Sequence, residues 1–405
     1  MSASGEAARK RGVPILSADA LAALAVVVAG RVAAFVVAVT VAPKAAGATT
    51  FARRLDRVWA LKDSGSFVSI ARHGYVQPNA SAFLPGYPLA LRAVALLTGG
   101  DYPLAGVLLS LVCYGVAMIL LYRLTAAELD TRAAALAVAL VSVFPTAAAF
   151  GLAYSESLFL LACLAAFFFA RRDRWALAGA AGLLAVATRS TGLVLLPALL
   201  VLYGQQRGWS LRHLSLRRSD LRLAWLALVP LGLLAYMAYL WWRLGDPLAF
   251  SAAEHAHWRR SLAWPWVDPL RAFHASVRAE HLLAAHHAGL ERLLLPVRGV
   301  PDPLQTLFGF ATLVAAVVGV ALVWRFLPAA YTVFAAGSVL VPLLYPSTGR
   351  ALYSFPRFVG VAFPLFMVAG LVLRRRPVLA WVVIGCSFVG LLWLTRGFVL
   401  GTPSL

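Results

Sequence analysis

The stretch from Trp59 to Pro88, WALKDSGSFVSIARHGYVQPNASAFLPGYP, carries the residue types best suited to chemistry beside a membrane. Its acid, Asp63, can take a proton from a sugar or lipid hydroxyl if it reaches that hydroxyl and stays ionised near neutral pH. Lys62 and Arg72 are close enough in sequence to favour the ionised form. The alternative is a surface acid that is merely paired with Lys62. Four side chains of this stretch are candidates for substrate binding, namely Lys62, His73, Tyr75 and Tyr87.

A second acid, Glu156, lies in AYSESLF between two apolar runs. An ionisable side chain at that depth is costly unless it faces a polar cavity, which makes Glu156 a candidate for substrate binding. The alternative is a structural role, because Ser155, Glu156 and Ser157 are typical of a helix start and an acid there complements the helix dipole. The sequence leaves both interpretations open.

Three arginines are candidates for binding a phosphate group. Arg189 in TRSTG and Arg357 in SFPRF lie at predicted outer ends of apolar runs, and Arg350 is nearby in the loop before Arg357. A guanidinium at a membrane surface binds a phosphate through two parallel hydrogen bonds. The alternative for each is that it extends to the headgroups of bulk lipid.

The composition indicates that these residues are held by a membrane-embedded frame. Of the 405 residues, 61% are hydrophobic and 13% are charged, and the mean hydropathy is +0.81, which lies outside the range of soluble domains. The net charge of +20 comes from short arginine blocks between apolar runs. That distribution follows the positive-inside rule and argues against a nucleic-acid partner.

The apolar runs predict an all-α polytopic membrane protein, a single domain over residues 1–405 with about eleven spans. The predicted spans are 20–42, 102–122, 132–150, 154–170, 175–188, 190–204, 223–243, 304–324, 328–346, 357–373 and 378–398. The basic connections place residues 1–19 in the cytoplasm and two long segments, 43–101 and 244–303, outside it. We expect both outer segments to be ordered and to carry short interfacial helices.

The sequence offers no motif for a metal or a soluble nucleotide. Glu254, His255 and His257 lie close together, but the spacing of the two histidines puts their rings on different sides of a helix, and no third ligand follows at a typical distance. A Walker loop, a strand-borne GxGxxG and a DxD pair are all missing from the sequence. We therefore expect no cofactor, and an activated group would have to arrive attached to a lipid.

The order of several motifs resembles the PIG-V mannosyltransferase family. WALKDSGSFVSIARHGY and AFLPGYPLALR are similar to that family's first-loop signature, and SFPRFVGVAFPLF is similar to its late arginine-containing span. Between them, FPTAAAFGLAYSESLFLL, LAVATRSTGLVLLPAL and GDPLAFSAAEHAHWRR agree in order. The chain departs from the pattern at Lys62, where the family usually has Trp, and at Leu84, which replaces an aromatic residue.

This resemblance implies a GT-C bundle that transfers mannose from a polyprenyl-phosphate donor, outside the cytoplasm, to a glycolipid or lipid-linked glycan. It implies that Asp63 is the catalytic acid and that Glu156, Arg189 and Arg357 line the donor pocket. The rich use of arginine and alanine with little lysine is typical of a bacterial gene, which places the protein in the plasma membrane. Two alternatives stay open: a transferase for another lipid-linked sugar, such as glucose or arabinose, and a lipid flippase or transporter without enzymatic activity.

Overall fold

The computed structural model describes residues 18–42, 58, 61–77, 79–208, 221–285 and 303–401, and this part of the chain is almost entirely helical. The side chains of residues 279–285 and 303–304 lie outside the description, as do His286 and His287. A backbone in hydrocarbon must satisfy its polar groups internally, and an α-helix does so within one segment. The prediction of an all-α multi-pass membrane fold is confirmed.

Within the described residues, five helices are long and apolar enough to cross a bilayer. They are α1 (Ala18–Val41), α4 (Tyr102–Glu128), α9 (Leu221–Leu244, with a 3-10 turn at Trp225–Ala227), α12 (Pro303–Phe326) and α16 (Pro377–Val399). In this part of the chain, the side chains of two aspartates cap the first turns of helices. The Asp101 carboxylate accepts from Leu104 N at 3.0 Å before α4, and that of Asp130 accepts from Ala133 N at 2.8 Å before the next helix.

Six further apolar helices are shorter. They are α5 (Thr131–Val143), α6 (Glu156–Ala170), α7 (Trp175–Thr188), α8 (Leu195–Gln206, preceded by a 3-10 turn at Ser190–Val194), α13 (Ala329–Leu344) and α15 (Phe363–Leu373). Each coincides with part of a predicted span. At 10–17 residues they are shorter than a span ordinarily requires, so the number of eleven spans stays a prediction.

The two predicted outer segments carry short helices. In the first they are α2 (Asp63–His73) and α3 (Gly86–Ala95), with a 3-10 turn at Ala80–Ala82 between them. In the second they are α10 (Ala249–Trp258) and α11 (Val267–Ala285), and the short α14 (Phe355–Gly360) precedes α15. Residues 259–263 hydrogen-bond alongside residues 344–348, for example Ala263 N to Leu344 O at 3.0 Å. This pairing fastens the second segment to the end of α13.

Small residues bring the helices together. At Gly370 of α15 a side chain would overlap the Ala133 carbonyl oxygen of α5 and approach Ala137 N within 3.0 Å. Small residues at helix contacts are a feature of membrane proteins, where close van der Waals packing replaces the hydrophobic effect. The contact between α5 and α15 matters for the site, because the chain enters the site region directly after α5 and directly before α15.

Arg31 of α1 stabilises the same region from within the bundle. Its guanidinium donates to the carbonyl oxygens of Ala147 and Ser142, the latter at 2.9 Å, and lies 5.2 Å from the ring centroid of Tyr114. These carbonyls belong to the end of α5 and the 3-10 turn at Ala147–Gly151. Arg31 therefore satisfies backbone groups where the chain leaves a helix.

We predict that Gly370→Ala lowers the free energy of unfolding by about 2–3 kcal/mol, because the new methyl group meets backbone atoms of α5 that cannot rotate away. The measurement is the midpoint of thermal unfolding in a mild detergent. Gly385→Ala in α16 is the matched control, since a side chain there meets nothing within 4 Å. Equal midpoints for the two variants would contradict the close approach of α5 and α15.

Candidate active site

Charged side chains from distant parts of the sequence line a cavity of about 340 Å³. The walls come from the start of α2, the segment after the first 3-10 turn, the turn before α6, the end of α7, α10, the end of α13, and α14 with the residues before it. The charged residues of the lining are Lys62, Asp63, Glu156, Arg189, Glu254, Arg260 and Arg357. Five of these seven are predicted site residues.

Asp63 opens α2 and contacts Arg357, which lies 294 positions further along the chain. The Arg357 Nη1 donates to the Asp63 Oδ2 at 3.1 Å, and the Asp63 side chain stays 25% exposed. The carboxylate thus contacts a guanidinium whose side chain is only 12% exposed, and it is still reachable by a substrate. The sequence suggested Arg72 for this role, but Arg72 lies instead 5.0 Å from the ring centroid of Tyr102.

Backbone strain precedes both partners of this ion pair. Lys62, directly before α2, has φ of 52°, while Leu352 and Ser354, just before α14, have φ of 51° and 59°. Non-glycine residues in this region carry a cost of order 1–3 kcal/mol, which persists only where the surroundings impose it. The strained turns therefore set the directions in which α2 and α14 present Asp63 and Arg357.

Glu156 joins the two predicted phosphate-binding arginines. Its Oε1 lies 2.6 Å from Arg189 Nη1 and 3.2 Å from Arg357 Nε, and its side chain is 2% exposed. The second oxygen, Oε2, is buried without a hydrogen-bond partner. Ser155 makes no capping hydrogen bond with its side chain and instead accepts from Arg189 at 3.4 Å. Glu156 is thus the first residue of α6 and also a member of the charged cluster.

Aromatic rings cover the faces of the guanidinium groups. Arg357 lies 5.5 Å from the centroid of Tyr154, and Arg189 lies 5.0 Å from that of Phe358. Such contacts hold a cation in place without neutralising it. The cluster is therefore both pre-oriented and only partly accessible to water.

Lys62 has a lowered pKa. Its Nζ lies 4.4 Å from the centroid of Phe398 at the end of α16. Burial lowers the pKa of Lys62 to about 8; Asp63 acts in the opposite direction, while the positive charges of Arg357 and Arg350 lower it further. The charge of Lys62 is therefore sensitive to pH just above neutrality.

Two charged lining residues were not among the predicted site residues. Glu254 of α10 and Arg260 form an ion pair with Oε2 and Nε 3.4 Å apart, and Arg260 Nη1 donates to the Tyr345 carbonyl at 3.0 Å. Burial raises the pKa of Glu254 and lowers that of Arg260. Both residues lie in the motif GDPLAFSAAEHAHWRR, whose neighbouring acid and histidines are compatible with a metal cluster, but the local sequence does not indicate the contact of Arg260 with Tyr345.

The neighbouring histidines bind protein groups. His255 Nδ1 lies 2.9 Å from the Arg260 carbonyl oxygen, and His257 Nε2 lies 3.0 Å from the Asn79 amide nitrogen. Among the described residues, no group of three or more His, Cys, Asp or Glu is arranged to hold a metal ion. The expectation of no cofactor stays a prediction.

Four predicted site residues do not line the cavity: His73, Tyr75, Tyr87 and Arg350. His73 is exposed at the end of α2. The Tyr75 hydroxyl donates to the Phe83 carbonyl at 2.8 Å and so orders a wall of the cavity. The Tyr87 hydroxyl is buried between Gly106 O at 3.0 Å and Ser110 Oγ at 2.9 Å, because its ring fills the core beside Phe67. The positive charge of Arg350 lowers the pKa of Lys62.

Comparison with solved structures gives weak overall similarity. ArnT from Cupriavidus metallidurans bound to undecaprenyl phosphate matches with 19% identity and a TM-score of 0.47, over 90% of this chain and 62% of that one. The Archaeoglobus fulgidus oligosaccharyltransferase tethered to an acceptor peptide matches with 13% identity and a TM-score of 0.45, over 94% of this chain and 55% of that one. This chain thus spans less than two thirds of either protein.

One part of the sequence matches a known protein family. No curated protein matches it. The sequence model of the dolichyl-phosphate-mannose-protein mannosyltransferases matches residues 78–242, which is less than half of the chain. The narrower resemblance to PIG-V mannosyltransferases stays a prediction. Over residues 78–242 the chain is therefore similar to a family of glycosyltransferases.

Proposed function

We propose that the protein transfers a glycosyl group, mannose in the first instance, from a polyprenyl-phosphate sugar to a glycolipid or lipid-linked acceptor. The observation that carries the proposal is the contact between Asp63 and Arg357 in a charged cavity. A base and a phosphate-binding cation within one cavity are the two groups that such a transfer requires. The family match over residues 78–242 supports the reaction class.

Asp63 serves as the general base in this proposal. The acceptor oxygen attacks the anomeric carbon from the face opposite the phosphate and forms the new glycosidic bond. Its proton passes to Asp63, while the bond from the anomeric carbon to the phosphate oxygen breaks and its electron pair leaves with the lipid phosphate. The anomeric configuration is inverted. Because a phosphate is a good leaving group, the reaction needs positive charge rather than a strong general acid.

The charge of the cavity suits a phosphodiester. The described lining residues supply four cations, Lys62, Arg189, Arg260 and Arg357, against three carboxylates. One positive charge is left over, and a polyprenyl-phosphate sugar carries one negative charge. Glu156 lines the cavity and its Oε2 has no hydrogen-bond partner, so in this proposal it accepts a hydrogen bond from a sugar hydroxyl. The cavity therefore offers a base, a phosphate site and a hydroxyl acceptor.

The transport alternative requires polar groups near the middle of several spans. In the described part of the chain, the charged cluster instead lies around helix ends, and Arg31 binds backbone carbonyls. This distribution favours a transferase.

The test of the proposed function is incubation of purified protein with radiolabelled polyprenyl-phosphate mannose and a lipid extract, followed by a search for a labelled product that partitions into chloroform. Inertness toward lipid-linked mannose, glucose and arabinose would support transport instead.

We predict that Asp63→Asn lowers kcat in this assay by about 100-fold or more, because a general base typically contributes that much. Donor binding should stay within about threefold of the original, since the amide occupies the same space. Asp101→Asn is the control: Asp101 caps α4 outside the cavity, and asparagine also caps helices. Full activity of the Asp63 variant would remove this residue as the base.

Arg357→Gln should weaken donor binding by at least tenfold, because the variant lacks the guanidinium that faces the phosphate site. Arg357→Lys, which restores a charge without the planar fork, should recover part of the lost affinity. The measurement is the Kd of the polyprenyl-phosphate sugar. Circular dichroism of both variants controls for folding, and an unchanged Kd in Arg357→Gln would assign this arginine to structure alone.

The lowered pKa of Lys62 predicts an alkaline limit to activity. As the pH rises through about 8, Lys62 loses its proton, and the cavity loses its net positive charge. The value of kcat/KM, which reports the free enzyme, should therefore fall above pH 8. Lys62→Arg should move this limit upward, because arginine stays protonated. An alkaline limit that is identical in Lys62→Arg and the unsubstituted protein would assign the titration to another group.

A further inference from the structure

A second cavity of about 150 Å³ lies between the start of α1, the start of α5, the end of α15 and the start of α16. Its walls are apolar and include Ala23, Val26, Leu136, Trp381 and Ile384. Charged groups, Asp19, Arg132 and Arg374, lie among its lining residues. The combination of an apolar interior and cationic groups is not explained by the transfer reaction.

This cavity lies at the other end of the bundle from the charged site. Helix α16 begins beside it at Pro377 and ends near Phe398, whose ring contacts Lys62. At 1.5 Å per residue, 23 residues span roughly 34 Å. Helix α5 runs in the same sense, from Arg132 at the second cavity toward Thr146, which donates to Pro356 O beside the site. The two cavities therefore lie about one bilayer thickness apart.

The arginines of the second cavity differ in their partners. Arg374 pairs with Asp130, the residue that caps α5. Arg132 is exposed and has no ion-pair partner within the part of the chain that the structure describes. Arg375 and Arg376 follow Arg374 directly and do not line the cavity. Arg132 is thus a lipid-accessible cation beside an apolar cavity.

We propose that this second cavity binds one anionic phospholipid, with its headgroup phosphate on Arg132 and part of an acyl chain among the apolar walls. A cavity of this volume holds an apolar group about the size of benzene, so it accommodates a short stretch of chain while the rest lies in the bilayer. Basic pockets between membrane helices favour anionic over zwitterionic headgroups. Charge complementarity selects the headgroup, and the apolar walls exclude a small hydrated anion.

The test is the binding of dioleoyl-phosphatidylglycerol to the purified full chain in detergent, followed by native mass spectrometry and by the thermal unfolding midpoint. We expect one tightly bound lipid and a rise in the midpoint, with a clearly smaller effect of dioleoyl-phosphatidylcholine. Inorganic phosphate at the same concentration should have no effect. Equal effects of the two lipids, or an equal effect of inorganic phosphate, would overturn the proposal.

Three substitutions make the test specific to this cavity. Arg132→Gln should lower the affinity for phosphatidylglycerol by about tenfold, the effect of losing one charge-assisted contact. Asp19→Asn should raise it severalfold, because the substitution removes a negative charge from the lining. Arg375→Gln is the matched control, since it removes the same charge from an exposed position outside the cavity.

The Asp19 and Arg375 variants keep the proposal falsifiable if Arg132→Gln folds poorly. An Asp19→Asn variant with unchanged or weaker phosphatidylglycerol binding would contradict it. So would equal losses in Arg132→Gln and Arg375→Gln, because that result indicates general attraction of headgroups to a basic surface. Glycosyl transfer plays no part in these measurements, so their outcome is independent of the proposed enzymatic function.

Discussion

The candidate site depends on one guanidinium held between two carboxylates. Arg357 contacts Asp63 through Nη1 at 3.1 Å and Glu156 through Nε at 3.2 Å, and Glu156 in turn binds Arg189. A single buried charge in an apolar bundle is expensive, whereas alternating charges repay much of that cost. The residues are therefore interdependent: α2, α6, α7 and α14 each contribute a charge that the others require. The strained turns before α2 and α14 are the local cost of this arrangement.

The same interaction bears on the proposed reaction. The donor phosphate shares the Arg357 guanidinium with Asp63 and Glu156 and so weakens the contact between Arg357 and Asp63. The Asp63 carboxylate is then free to accept a hydrogen bond from the acceptor hydroxyl. Lys62 and Arg260 supply the further positive charge that a departing phosphate needs.

The sequence was sufficient for the helical frame and for five of the seven charged residues that line the cavity. Long apolar runs and short basic connections predicted a helical membrane protein, because the bilayer leaves few alternatives. Four of these residues could be recognised because an ionisable side chain beside an apolar run is costly unless it faces a polar cavity. They are Asp63, Glu156, Arg189 and Arg357. Helix lengths were less predictable. Apolar composition continues through the 3-10 turn at Ala147–Gly151, so hydropathy alone could not show that α5 ends at Val143.

The aromatic residues show why the rest of the site required coordinates. Tyr75 and Tyr87 carry the same polar group and lie in the same stretch of sequence as Asp63, yet neither lines the cavity. A tyrosine hydroxyl binds whichever acceptor the packing of its ring brings near. For Tyr87 that acceptor is Gly106 O on α4, a contact that depends on how α3 packs against another helix. Arg260 is the converse case: its pairing with residues near 345 brings it into the cavity, and nothing in its local sequence encodes that long-range contact.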